Sequence, residues 1–417
     1  MGTKKESISL NINKITEDRN LELNFEPVVS IIKKSVIGLE AVLVGFPDAN
    51  GNIVSKDDLG KYDLKEGEAI ELDRLYREKS MESFIDIYGK NKEVLLFIDI
   101  NISIIDKYIG SGILMNVVNE YGIEPRNIVL EIVEEKIEDI KAMQNFINFY
   151  RSKGFLIGLK DLGSGFANLD RISYVEPDII KINSVITKDI CYNYYKQEIF
   201  KSLINLSKKV GALVIAEDVE TEADAMVVME LGADMIQGKA FCEPIPADKV
   251  GLTNLKDKIE KMGTDYKAYM SEEIDAKEQS HKKYDSIINN IIVKLENSKK
   301  SDFNSIIEST VDEYSLIECV YILDDNGHQV TNTATRCKNM ISQKALIFQP
   351  AKKGTDHSLK KYYYFLRSMS LNKYVTEPYV SMATGNLCIT ISSSFKDSAK
   401  KSYIICIDFN PDNITLN

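Results

Sequence analysis

Between residues 21 and 238, short apolar runs alternate with stretches of helical periodicity, and this rhythm restricts the fold more than any other feature of the chain. Runs at 21–32 and 36–44, separated by Lys33-Lys34-Ser35, predict a β-hairpin. Further strands are predicted at 94–100, 127–133, 155–159, 179–182, 213–217 and 235–236. Helical spacing occupies 66–88, 104–121, 134–150, 168–172, 199–210 and 221–231; in the first of these the apolar set includes Ile70, Leu72, Leu75, Met81 and Phe84. Alternation of this kind implies a parallel sheet with helices outside it. Roughly seven or eight strands over this length suit a closed TIM-type (β/α)8 barrel better than an open sheet. No G-x-G-x-x-G and no GxxxxGK[ST] phosphate loop is present, which argues against a nucleotide-binding open sheet.

The 417 residues are comfortable for two domains. A net charge of −11 argues against a nonspecific DNA binder, which needs a basic surface. The six cysteines form no CxxC pair, and with three histidines a zinc site is not expected. No apolar run approaches the roughly 18 residues of a membrane span, and residues 1–15 are polar with no signal-peptide core. The expected compartment is therefore the cytoplasm, with reduced thiols.

The texture divides the chain into a lead-in at 1–20, a barrel at 21–251, a helical linker at 252–298 and a smaller α+β domain at 299–417. In the linker, Leu252, Leu255, Ile259, Met262, Tyr266 and Tyr269 follow a heptad-like spacing, interrupted by Gly263. After a polar gap, Tyr284, Ile288, Ile291 and Leu295 form a second stripe. Two readings stay open, a helix packed on its own domains and a signalling or dimerisation helix. In the last domain, 320–323 reads as a strand entering an Asn326-Gly327 hairpin turn, with later strands at 387–392 and 402–408.

The chemistry gathers at the predicted strand ends. Glu40, Asn101, Glu131, Asp161, Lys181, Glu217 and Gln237 fall there, where α/β barrels keep their active sites. All but Lys181 are oxygen donors of the kind that Mg²⁺, Mn²⁺ or Ca²⁺ requires. Carboxylates gathered without a cation repel one another.

Ordered motifs make the comparison specific. Phe25-Glu26-Pro27 resembles an FQP opening, and Gly38-Leu39-Glu40-Ala41-Val42 stands where a Glu-Ala-Leu signature stands. Asn101-Ile102-Ser103 resembles N-x-S, and Glu131-Ile132-Val133-Glu134 resembles E-x-T-E. Lys160-Asp161-Leu162-Gly163-Ser164-Gly165-Phe166 resembles D-D-F-G-T-G-Y. Asp178 to Asn183 resembles D-x-x-K-I-D, Ala216 to Thr221 resembles A-E-G-V-E-T, and Gln237-Gly238 a closing Q-G. The chain thus resembles the EAL domain, the cyclic-di-GMP phosphodiesterase family. The resemblance implies two metal ions, Mg²⁺ or Mn²⁺ with Ca²⁺ as an alternative, held by Glu40, Asn101, Glu131 and Asp161. It implies that Lys181 holds the nucleophilic water and that Glu217 assists as acid or base. Glu134 would anchor a loop, and Glu134, Glu220 and Gln237 would belong to the ligand site.

Five departures weigh against that chemistry. Lys160 stands where the family's metal-bridging aspartate stands, and an ammonium cannot coordinate a metal. Two readings of it stay open: it replaces the cation in a metal-free pocket, or it swings outward and leaves a crippled site. Val44 replaces a phosphate-binding arginine, a bidentate donor that valine cannot supply. Glu26 adds negative charge beside an anionic ligand, and Asn183 and Asp218 replace the Asp of K-I-D and the Gly of A-E-G. The expectation is a degenerate, catalytically inactive barrel, vestigial at Lys181 and Glu217, acting through ligand or protein binding, with Mg²⁺ or Mn²⁺ if any metal and a metal-free pocket as the alternative set by Lys160. The alternatives are a cyclic-di-GMP effector without turnover and a slow phosphodiesterase yielding the linear dinucleotide pGpG. The last domain resembles a PAS/Cache-like sensor, an order of domains similar to a type known from Bacillus. A small-ligand pocket near Arg367 and a dimerisation lobe both stay open for it, and a homodimer is expected.

Overall fold

The computed structural model describes residues 12–47, 53–55, 66–100, 112–133, 139–164, 169–336, 347–369 and 371–411. The chain divides into two compact units, Met1–Ser271 and Glu272–Asn417.

In the first unit, among the described residues, eight strands close into a barrel: β1 (Glu22–Ser30), β2 (Ser35–Pro47), β4 (Leu95–Ile100), β5 (Ile128–Ile132), β6 (Leu156–Leu162), β7 (Ile179–Ile182), β8 (Leu213–Ala216) and β9 (Met235–Ile236). The short β3 (Ile53–Ser55) extends β2, and β10 (Ile245–Pro246) pairs with β1. From β2 through β9 the neighbours are parallel, whereas β1 runs antiparallel to both β2 and β9. The reversal follows from the tight turn at Lys33-Lys34, which leaves no chain for a crossover helix. Helices Glu66–Lys90, Ile113–Tyr121, Ile140–Ser152, Tyr194–Val210 and Glu222–Glu230 belong to this unit. Leucines, isoleucines and aromatics on helices and strands form its largest core. Within the region read as a lead-in, Ile12–Asp18 is helical; Ile15 packs with Phe46, Leu72 and Leu75, and Arg19 pairs with Glu78.

Side-chain alternation along the strands then builds the barrel interior in layers. Val28, Phe97, Val129, Ile179, Ile215 and Met235 meet in an apolar floor. Two residues nearer the carboxyl ends of the parallel strands come Glu26 on the antiparallel β1, Asp99, Glu131 and Lys181 on their strands, and Glu217 and Gln237 just past the ends of β8 and β9. Gly38 and Gly158 are the positions on β2 and β6 level with the floor. A Cβ at Gly38 would lie 2.4 Å from the Phe97 ring, so glycine makes room for that ring.

The linker is one continuous helix, Lys256–Glu296, with no break at the polar gap or at Gly263. Its charged middle carries i,i+4 pairs such as Lys277–Glu273 and Lys282–Glu278, which support a solvated helix where no apolar stripe exists. Leu255, Ile259 and Met262 are buried in the barrel core, and Tyr284, Ile288, Ile291 and Leu295 in the core of the second unit.

The second unit holds an antiparallel sheet in the order β12 (Ala334–Thr335), β11 (Ile317–Leu323), β16 (Ser402–Phe409), β15 (Leu387–Lys396), β13 (Lys373–Val375), with β14 (Tyr379–Val380) also on β15. One face packs Val320, Ile322, Ile405 and Ile407 with Phe303, Ile307 and Val311 of helix Phe303–Glu313. The other presents Cys319, Tyr321, Ile404 and Cys406 to Tyr362 and Leu366 of helix Lys361–Ser368.

Candidate functional site

The charged layer above the apolar floor is the candidate site. Lys181 is fully buried, and its Nζ lies 2.7 Å from Glu40 Oε2, 2.7 Å from Glu131 Oε1 and 3.8 Å from Glu217 Oε1. The same ammonium stands 5.1 Å from the centroid of the Phe97 ring. Lys160 points inward, not outward: its ammonium donates to Glu40 Oε1 and, at 3.1 Å, to Asp99 Oδ1. Glu40 is thereby held between two ammoniums. Gln237 donates its amide N–H groups to Glu26 Oε2 at 3.0 Å and to Glu40 Oε2. Glu26 and Glu40 are directly opposed in the β1–β2 register, which explains why one amide reaches both.

The electrostatics follow from burial and these pairs. Burial disfavours the charged form of Glu40, yet Lys160 and Lys181 outweigh it and hold the carboxyl well below its usual range. Burial likewise opposes the charge of Lys160, but Asp99 and Glu40 raise it well above the ordinary lysine value. Lys181 is also raised, against burial, by Glu131 and Glu40. Both lysines are therefore ammoniums. Burial pushes Glu131 up to about 8, with Lys181 offsetting only part of it. Burial raises Glu217 well above the usual range, and it raises Glu26 to about 7 with help from Glu40. Glu131 Oε2 and Gln237 Oε1 are buried without a hydrogen-bond partner among the described residues.

Of the predicted site residues, Glu26, Glu40, Lys160, Asp161, Glu217 and Gln237 line one cavity of about 150 Å³, together with Asp99 and Asp218. Glu131 and Lys181 lie in contact with this set. Asp161 turns to Asn183, whose Nδ2 donates to its Oδ1 at 2.7 Å, while Asn183 Oδ1 caps Val185 N–H. The cause is a register break between Leu159 and Leu162, with Asp161 at a φ of 62°. Val44 does not line the cavity, and Glu220 is exposed and paired with Lys188. Asn101 and Glu134 lie outside the described residues. The sequence reading missed Asp99. Its signal was the strand period: Asp99 shares a face of β4 with Phe97.

Glu40, Asp99 and Glu131 each bring a carboxylate oxygen within 4.8 Å of the others, a donor set of the hard-cation kind, and Glu131 Oε2 is unused. The Lys160 ammonium, however, engages two of these three carboxylates. A divalent ion needs those oxygens and is repelled by that charge. The side chains as arranged do not fit the family's metals.

The sequence comparisons agree on one family. The EAL domain model matches residues 9–244. The "uncharacterized EAL-domain containing protein YkuI" of Bacillus subtilis is 25% identical over 393 residues, 89% of this chain and 91% of the relative. The "probable cyclic di-GMP phosphodiesterase PdeB" of Escherichia coli is 24% identical over 232 residues, 56% of this chain but only 44% of the relative. Among solved structures, B. subtilis YkuI in complex with substrate c-di-GMP and calcium superposes with a TM-score of 0.77 and 19% identity, covering 97% of this chain and 100% of that one. At that identity the likeness speaks to the fold, including the small second sheet. No described helix is long and apolar enough to cross a membrane. With the family model covering more than half of its length, the chain belongs to the EAL domain family.

Proposed function

We propose that this chain is a non-hydrolytic EAL protein of cyclic-di-GMP signalling, a regulator that acts through ligand or protein binding and does not cut the dinucleotide. The observation that carries the reading is the Lys160 ammonium paired with Glu40 and Asp99 inside the carboxylate cluster. A fixed side-chain cation there neutralises the acids that metal ions would otherwise neutralise, but it offers no open coordination position and activates no water. Glu26, and valine at 44 in place of arginine, weaken attraction for phosphates as well. The barrel at 21–251 and the linker at 252–298 would then pass a binding signal to or from a PAS/Cache-like module at 299–417, for which a small ligand, a protein partner or a second copy is the expected counterpart.

A second reading is cyclic-di-GMP binding without turnover. It is favoured by the gathering of Lys181, Glu217 and Gln237 at the strand ends and by the complex recorded for YkuI. The test is incubation of the full chain with cyclic-di-GMP and Mn²⁺ or Mg²⁺, followed by chromatography. The expected result is unchanged dinucleotide. Linear product that depends on metal and disappears in Glu40→Ala would overturn the proposal, and calorimetry with cyclic-di-GMP separates the two non-hydrolytic readings.

A further inference from the structure

Lys160 accounts for Glu40 and Asp99, but not for Asp161. Among the described residues, the carboxylate oxygens close enough to share one ion come from Glu40, Asp99 and Glu131; Asp161 lines the same cavity and is not among them. Its carboxylate instead accepts a hydrogen bond from Asn183 Nδ2 at 2.7 Å.

Both partners of that bond are held by the backbone. Asn183 follows β7 and caps the helical turn Ser184–Thr187, its Oδ1 accepting from Val185 N–H at 2.9 Å. An acceptor is needed at that end, so the amide turns its NH₂ toward Asp161. The backbone N–H of Asn183 donates to Leu162 O at 3.0 Å, which ties the residue to the turn after Asp161. Asp161 sits at a φ of 62°, and its carbonyl accepts from Ser164 N–H at 3.1 Å. Gly163 seats that turn on the capped helix, since a Cβ there would collide with Ile186 Cδ1.

The K-I-D motif has aspartate where this chain has Asn183. Two facing carboxylates repel and call for a cation between them, whereas an amide facing a carboxylate needs none. We infer that Asn183 is a positioning residue that keeps Asp161 out of metal coordination, a second fixed substitute for a cation that acts independently of Lys160. The inference rests on the non-hydrolytic reading and deepens it. Reversing position 160 alone reopens one ion site, at Glu40, Asp99 and Glu131, and a pair of ions requires a change at position 183 as well.

The test is Mn²⁺ stoichiometry on the full chain by equilibrium dialysis, with electron paramagnetic resonance to detect paired ions. The native chain and Asn183→Asp are expected to hold no stoichiometric ion, Lys160→Asp about one, and the double variant Lys160→Asp, Asn183→Asp about two, spin-coupled. Aspartate also caps helices, so the Val185 contact survives Asn183→Asp, and a merely structural role for Asn183 predicts no change in stoichiometry. Should that double variant not fold, Asn183→Ser in the Lys160→Asp background keeps a capping hydroxyl, lacks the amide and is expected to give the same second ion. About two ions in Lys160→Asp alone, or no gain on adding the change at position 183, overturns this inference and leaves the non-hydrolytic reading standing. A native chain that binds a pair of ions and forms linear dinucleotide overturns that reading and this inference together.

Discussion

In the second unit the buried Asp408 carboxylate accepts hydrogen bonds from Ser381 Oγ at 2.8 Å and Thr390 Oγ1 at 2.7 Å, with Cys319 Sγ 3.3 Å away. Beside it, Gln329 Nε2 donates to Thr331 O, Thr333 Oγ1 and Ala351 O, which leaves its Oε1 for His357 Nε2–H at 3.0 Å. His357 Nδ1 then accepts from Tyr362 OH, which accepts in turn from Tyr321 OH. Every polar atom in that chain has a partner. In the barrel mouth, by contrast, Glu131 Oε2 and Gln237 Oε1 have none among the described residues, where carboxyl groups also outnumber ammoniums. Both regions bury polar groups at similar cost, yet one is closed on itself and the other is incomplete. A satisfied network specifies packing, whereas an unsatisfied one marks a place prepared for something else.

The largest blow to this contrast is removal of the central cation. Lys181→Met leaves Glu40, Glu131 and Glu217 around a buried void of charge, and breaking a buried ion pair from one side costs about 3–5 kcal/mol. Chemical denaturation monitored on the barrel is expected to show a loss of that size; a loss below about 1 kcal/mol would mean that the ionised Glu40 does not depend on Lys181. A smaller loss is expected in the closed network. His357→Phe keeps a ring against Tyr321 but strands Gln329 Oε1, at a cost of about 1–3 kcal/mol, seen as a lower unfolding midpoint of the second unit.

The two regions are also expected to answer pH in opposite senses. Burial raises Glu131 to about 8, so its contribution is full below the unfolded carboxyl value and is lost as pH rises through about 8. Burial, with Lys360, lowers His357, so its contribution is full above the unfolded imidazole value and is lost as pH falls below it. Hydrogen exchange resolved by unit, in metal-free buffer at about pH 5.5 and about pH 8.5, is expected to show the second unit loosening at the lower pH and the barrel at the higher. The same sign in both units would break the comparison.

The barrel was legible in the sequence because strand and helix periods differ and the chain alternates them cleanly. The gathering of Glu40, Lys160, Lys181, Glu217 and Gln237 followed from placing each at the end of an apolar run. Asp99 was missed because the run was read to its last residue, without following the alternation back from position 101. The direction of Asp161 was not legible, since a one-residue register break at 159–162 depends on how β6 meets β7. The unbroken linker helix was hidden for a different reason: its middle is held by charged pairs and helix propensity, which leave no apolar stripe to read.

The central claim is that Lys160 occupies the place of a metal, and titration of Mn²⁺ into the native chain and into Lys160→Asp, side by side, tests it most directly. The account predicts that the variant binds Mn²⁺ at least about tenfold more tightly than the native chain, because the substitution removes a repelling charge and adds a ligand. Native protein that binds Mn²⁺ as tightly as the variant would contradict it.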